Sequence, residues 1–282
     1  MTKHHRRGTF YFLIPALLIF VFVVVVPFVR GFAISLTSWD GISPVMENVG
    51  LANYQRIFTT DAFLQPFKNS VGFTIITLIL DNVLGLSLAM LISGRGARAG
   101  LLRVAFFLPF IISLVVASYM WTYLYSSVLH PVFGLQNPLG NPETSNLGIA
   151  LISVWRNTGY CMLIYIAGLK SIPGSLYEAA EVEGAGAVTR FFRITLPMLI
   201  PSLSICVTLI LAWGLREFDT VMAATGGGPG RSSMSMAFYV YKTTFVWGKA
   251  GYGQAVAVVM MAFIVLVSGF VARAFRSREV EL

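Results

Sequence analysis

The segment from Phe10 to Phe28 reads FYFLIPALLIFVFVVVVPF and contains no charged side chain. A helix needs roughly 20 apolar residues to cross the hydrocarbon core of a bilayer, so this run is long enough to span. Such runs recur. The others are Val71–Ile92, Val104–Tyr125, Leu147–Leu169, Met198–Phe218 and Gly253–Ala272, which gives six expected spans. A basic stretch, KHHRR, precedes the first run, as it would in a secretory signal. The run nevertheless exceeds the roughly 7–15 apolar residues of a signal core, and no clear A-x-A cleavage site follows, so it is read as an uncleaved first helix.

Composition agrees. Of the 282 residues, 56% are hydrophobic and only 11% are charged, against about 25% charged in soluble globular domains. Mean hydropathy is +0.77. A string of soluble domains is excluded, and the expected fold class is all-α and polytopic. Residues 1–9 form a tail and 10–282 one membrane domain.

The net charge of +8 raises nucleic acid as a partner, but its distribution argues otherwise. Lys3, Arg6 and Arg7, then Arg95, Arg98 and Arg103, then Lys170, Arg190 and Arg193, then Arg273, Arg276 and Arg278 all fall on one side of the expected spans. On the other side, residues 126–146 contain no Lys or Arg. Lys and Arg gather in short cytoplasmic loops, so both termini are expected in the cytoplasm and no nucleic acid is needed. Cys161 and Cys206 lie in apolar stretches and are read as small buried side chains.

One segment breaks the apolar pattern. YEAAEVEGAGAVTRFFRITLPMLIP, residues 177–201, carries Glu178, Glu181 and Glu183 in the longest expected cytoplasmic connection. Ser175 precedes Glu178 with the spacing of a capping box, which predicts a helix opening there. Gly184 and Gly186 permit a turn, after which helical character resumes. Pro197 and Pro201 open the fifth span, where a missing amide is tolerated. The residues themselves fit either a surface helix that merely joins two spans or a docking element for a cytoplasmic partner.

The string resembles the cytoplasmic signature of binding-protein-dependent ABC importer permeases: E-A-A, two variable residues, D-G-A, then an apolar stretch ending I-x-L-P. Here it is Glu178-Ala179-Ala180, Glu183-Gly184-Ala185, then Phe191, Ile194, Leu196, Pro197 and Pro201, with Glu183 where the family usually has Asp. The resemblance implies a type I importer permease fold of about six helices. It implies that 171–197 is a coupling segment, with Glu178, Ala179, Ala180, Glu183, Gly184 and Ala185 facing a cytoplasmic ATPase.

A glycine-rich stretch, TGGGPGRSS (Thr225–Ser233), nearly fits a phosphate-cradling loop, but Thr225 replaces its first glycine and Arg231 its lysine. No nucleotide site is expected in this chain; ATP would be bound by the partner. That stretch, within FDTVMAATGGGPG, together with YVYKTTF, GYGQAVAVVMMAFIVL, GLANYQRIF and SIPGSLYEAA, resembles the first permease of carbohydrate-uptake pairs. The implied partners are a second permease, two ATP-binding subunits, an extracytoplasmic solute-binding protein, membrane lipid and a sugar. The implied location is a bacterial or archaeal cell membrane.

Charges within spans are costly and usually face a cavity or a partner. Asp81, Arg156, Arg216 and Glu217 are such positions, and Arg216 and Glu217 are expected to pair or to snorkel to an interface. Arg156 and Asn157 are candidates to line a translocation path, with Tyr119, Tyr123 and Trp213 as aromatic faces for a sugar. The aromatics at 119–125 fit equally an interfacial belt. No catalytic or metal-ligating pattern is present, which excludes nothing but favours transport over an embedded enzyme. An ion-coupled secondary transporter is the alternative from another class.

Overall fold

The computed structural model of the chain describes residues 13–94 and 96–276. The expected tail 1–9, the start of the first span at Phe10, and Lys3, Arg6, Arg7, Arg95 and Arg278 lie outside the described residues, as does the side chain of Arg276. The fold among them is helical, with one isolated antiparallel bridge between Thr37 and Asn48.

Helix α1 runs Leu13–Ser35, α2 Ala52–Thr59, α3 Leu64–Ile92, α4 Ala97–Ile111 and α5 Leu114–Phe133. Helix α6 is Ser145–Ser171, α7 Gly174–Val182, α8 Ala187–Met198 and α9 Ile200–Leu215. Then come α10, Asp219–Ala224, α11, Met236–Tyr241, and α12, Ala250–Arg276. Four of these, α1, α3, α6 and α12, are long and apolar enough to span a membrane unbroken. The pairs α4–α5 and α8–α9 also qualify if each counts as one span, bringing the total to the expected six.

The third span is thus broken where the sequence suggested a continuous helix, and the bend before the fifth falls where Pro197 and Pro201 were expected to open it. Helices α4 and α5 meet at 97°. Pro109 lies inside α4, where its missing N–H and its ring weaken the last turn, and Ile112 and Ser113 are extended, with ψ of 134° and 136°. Helices α8 and α9 meet at 65°. Leu199 is the pivot, with φ −87° and ψ 0°; Pro197 deletes a bond in the last turn of α8, and Pro201 stands in the first turn of α9, where its missing N–H costs nothing.

The chain divides into two compact units, residues 1–61 with 239–261, and residues 62–238 with 262–282. In the first, the connection after α1 is pinned by Asn53, whose Nδ2 donates to the carbonyls of Ser35 and Thr37 at 2.9 and 2.8 Å. Asp40 Oδ1 accepts from the amides of Ile42 and Ser43, each at 2.8 Å. Those amide bonds stabilise the ionised carboxylate and hold Asp40 below its ordinary range.

In the second unit α6 is the hub. Its small residues allow close approach: a side chain at Gly159 would collide with the Phe106 carbonyl of α4, and one at Gly85 of α3 would meet Cys161 at 2.8 Å. Around these contacts Ala89, Ile92, Met162, Tyr165, Ile166 and Ile210 form an apolar core with Cys161 and Cys206. Both cysteines are free and buried, as expected. Asp81 is fully buried beside that core; Thr158 Oγ1 donates to its Oδ1 at 3.2 Å, and its Oδ2 has no partner.

Candidate functional site

The segment 171–197 forms a folded elbow. Ile172 and Pro173 are extended, and Pro173, not a serine, stands at the helix N-cap. The expected capping box is therefore absent. Ser175 is already within α7, which begins at Gly174, and a residue with helical dihedrals does not cap its own helix. The other end fits expectation. Gly184 has φ +74°, the left-handed conformation that costs a residue bearing a Cβ roughly 1–2 kcal/mol. Its N–H donates to the Glu181 carbonyl at 3.0 Å, and the Ala185 N–H donates to the Ala180 carbonyl at 2.8 Å. This pair of bonds is a Schellman closure, with Glu183 as the last residue before the left-handed turn.

The elbow is exposed. Glu178, Ala179, Glu183 and Gly184 face solvent, Ala180 and Ala185 are half-buried, and Val182 and Val188 are 90% and 71% exposed. A Cβ at Gly184 would meet nothing within 4 Å of this chain. Backbone conformation alone therefore demands the glycine here. Two links join its arms: Tyr177 Oη and Thr195 Oγ1 lie 2.9 Å apart, and Arg190 Nη1 is 3.7 Å from Glu181 Oε2.

A cleft of about 600 Å³ opens elsewhere in the second unit, lined by residues from α4, α5, α6, α9 and the turn into α10. Arg156, Asn157 and Trp213 all line it. Tyr119 and Tyr123 do not: they are 63% and 66% exposed on α5. Sequence reasoning passed over Phe110, Ser153, Phe218 and Asp219, which also line the cleft. The signal for Phe110 was the neighbouring Pro109, since a proline in a span marks a break at which side chains can face a cavity.

Arg156 is anchored by that break. Its Nε donates to the Ile112 carbonyl at 3.1 Å, and its Nη1 donates to Asn157 Oδ1 at 3.1 Å. The part-buried Ile112 carbonyl lies where the helix has been interrupted, and Arg156 supplies it with a donor. The guanidinium also stands 4.7 Å over the ring of Phe110, a cation–π contact. Phe110 stacks on Tyr160 at 4.6 Å, and Trp213 closes the cluster at 6.0 Å from Phe110 and 5.6 Å from Tyr160.

Of the two expectations for Arg216 and Glu217, pairing with each other is not met, and Arg216 is exposed. Arg216 Nε donates to the Ala212 carbonyl at 3.0 Å, while buried Glu217 accepts from the Thr220 amide at 2.7 Å. Adjacent side chains diverge because α9 ends at Leu215, and the chain turns between them. Both line the cleft instead. The glycine-rich loop is closed upon itself. Thr225 Oγ1 meets Ser233 Oγ at 2.8 Å, Ser233 Oγ donates to the Gly228 carbonyl at 2.6 Å, and Asn69 donates to the Arg231 carbonyl at 2.9 Å. The hydroxyls of Thr225 and Ser233 are thus engaged within the loop, while that of Ser232 meets Ser145 Oγ of α6 at 2.7 Å.

Residues 81–279 match the profile of the family described as the binding-protein-dependent transport system inner membrane component. The chain belongs to this family. The match takes in both the elbow and the cleft. The permease is 30% identical, over 99% of its own length and 98% of the relative's, to a probable starch degradation products transport system permease protein of Thermoanaerobacterium thermosulfurigenes. It is also 30% identical, over 91% and 88% of the two chains, to the trehalose/maltose transport system permease protein of Thermococcus litoralis. A chain of a bacterial ABC transporter involved in the import of the acidic polysaccharide alginate superposes with a TM-score of 0.81, covering 97% of this permease and 96% of that chain at 18% identity. The expected all-α importer permease fold is therefore the fold observed. A chain from an amino acid ABC transporter gives 0.55 over 79% of the permease, so the core architecture extends beyond saccharide systems.

Proposed function

We propose that this permease forms half of the translocation pathway of an ATP-driven sugar or oligosaccharide importer, as one domain carrying its coupling segment at 171–197. The observation that carries the sugar reading is likeness, over nearly the whole chain, to permeases named for starch products and for trehalose and maltose. The cleft supports it. Aromatic faces at Phe110, Tyr160 and Trp213 suit the apolar C–H faces of a pyranose. Arg156, Asn157, Glu217 and Asp219 supply donors and acceptors for its hydroxyls.

A solute-binding protein delivers the sugar to the outer face, and a second permease completes the pathway. Of two ATP-binding subunits, one docks on the elbow through Glu178, Ala179, Ala180, Glu183, Gly184 and Ala185. Both termini and the elbow are cytoplasmic, and nucleotide chemistry belongs to the partners. The exposed elbow, with apolar Val182 and Val188 open to solvent, suits a surface that another protein covers. Differential binding by the partners in two nucleotide states is what shifts the permease between inward- and outward-facing arrangements.

Copurification from native membranes, with identification of the bound subunits and uptake of a panel of labelled solutes, tests this. Capture of ATPase subunits and selective uptake of a saccharide are expected. ATP-independent uptake by the chain alone would overturn the reading in favour of a secondary transporter, and preference for a non-sugar solute would overturn its substrate.

A further inference from the structure

We propose that the hydrogen bond between Tyr177 and Thr195 is the strut that makes the elbow move as one body with the fifth span, with Tyr177 as a positioning residue. The proposal rests on the coupling function proposed above.

The elbow has a swivel at each end of α7. It is entered through extended Ile172 and Pro173, and left through Gly184, Ala185 and Gly186, of which Gly184 has φ +74° and Gly186 is extended. A force applied to α7 would be spent at these swivels unless something fixes α7 to α8. Two side-chain links do so among the described residues. The Glu181–Arg190 pair is 3.7 Å long, with Glu181 78% exposed, so water and salt screen it and it constrains little. Thr195 is only 6% exposed, so its bond to Tyr177 at 2.9 Å is made largely out of water, where polar groups depend on their partners.

The strut also lands in the right place. The Thr195 carbonyl accepts from the amide of Leu199 at 3.0 Å, and Leu199 is the pivot of the 65° bend between α8 and α9. Thr195 Oγ1 in addition lies 3.5 Å from the Arg190 carbonyl. Displacement of α7 therefore reaches the turn that immediately precedes α9. The phenol ring gives a reach with few rotatable bonds, which a strut requires.

The test uses the whole transporter purified with its ATPase subunits, nitroxide-labelled at Ser175→Cys on α7 and Ile205→Cys on α9, both exposed positions. Electron–electron double resonance reads the distance distribution without nucleotide and after vanadate trapping. The parent is expected to hold one narrow distance in both states. Tyr177→Phe and Thr195→Val are each expected to broaden it at least twofold. The double variant should be no broader than either single one, and Thr195→Ser should stay narrow. ATPase content equal to the parent's shows that a variant has folded and assembled. A Tyr177→Phe complex as narrow as the parent in both states overturns the strut alone. Loss of ATPase capture by Tyr177→Phe would make the phenol a docking contact and overturn it as well. A parent preparation that holds no ATPase subunit overturns the proposed function, and the strut with it.

Discussion

The elbow and the cleft are built on opposite plans. The hydrogen bonds that close the elbow's corner and join its arms come from residues 177–195, and Glu178, Ala179, Glu183 and Gly184 face solvent. The cleft draws single residues from segments as distant as Phe110 and Asp219, and its charged groups are fixed by backbone partners rather than by one another. The elbow suits a lever that another protein grips, and the cleft suits a chamber whose walls move when helices tilt. The difference teaches that substitution should act on coupling in the first region and on the solute in the second.

The largest expected effect is at Gly184. Gly184→Asp should abolish uptake while leaving membrane insertion intact, because it puts a charged side chain on the proposed docking face as well as the left-handed strain of about 1–2 kcal/mol. Uptake together with protease accessibility of the membrane form checks this, and normal uptake would break the assignment of the elbow to coupling. Next comes Trp213→Ala, expected to lower uptake efficiency about tenfold, the equivalent of about 1.4 kcal/mol, with ATP hydrolysis retained. Tyr119→Ala should change neither, since that ring stands outside the cleft. Equal losses from the two variants would dissolve the distinction between cleft and belt.

Arg156→Met should lower stability in detergent by about 1 kcal/mol, the net worth of a typical hydrogen bond, since the Ile112 carbonyl is part-buried. An unmoved thermal midpoint would show that Ile112 does not depend on the guanidinium. By contrast Glu181→Gln should cost under about 1 kcal/mol, as an exposed pair is worth little, and a larger loss would promote that pair to a second strut. The smallest effect is at Asp40, in neither region. Its carboxyl is held below its ordinary value of 3.8, so its contribution is present above that value and fades as pH falls through the lower folded one. Thermal scans of the parent and Asp40→Asn should diverge slightly at neutral pH and converge in acid; a constant gap would show that the charge is immaterial.

Much of the fold was legible because its signal is local. Apolar run length marks spans wherever they occur, and the Gly184 corner is marked by a residue whose backbone freedom is its own property. The capping box was misread for a related reason. Ser175 and Glu178 had the right spacing, but with Pro173 as N-cap the helix begins two residues too early for Ser175 to stand outside it. The cleft was half legible. Arg156 and Asn157 stood out as polar groups at membrane depth, whereas Phe110 looks like any phenylalanine in an apolar run until the break after Ile111 turns it towards Tyr160 and Trp213.

The sequence by itself determined the class of molecule, where its apolar runs lie and the glycine corner of the elbow, since hydrophobic length, charge and glycine act through neighbouring residues. Only the tertiary structure decided that the third span is broken, that Arg156 donates to the carbonyl at that break, and that Arg216 and Glu217 part company. Those outcomes depend on which backbone groups lose their partners when helices pack, and such vacancies are filled from wherever in the chain a donor happens to arrive.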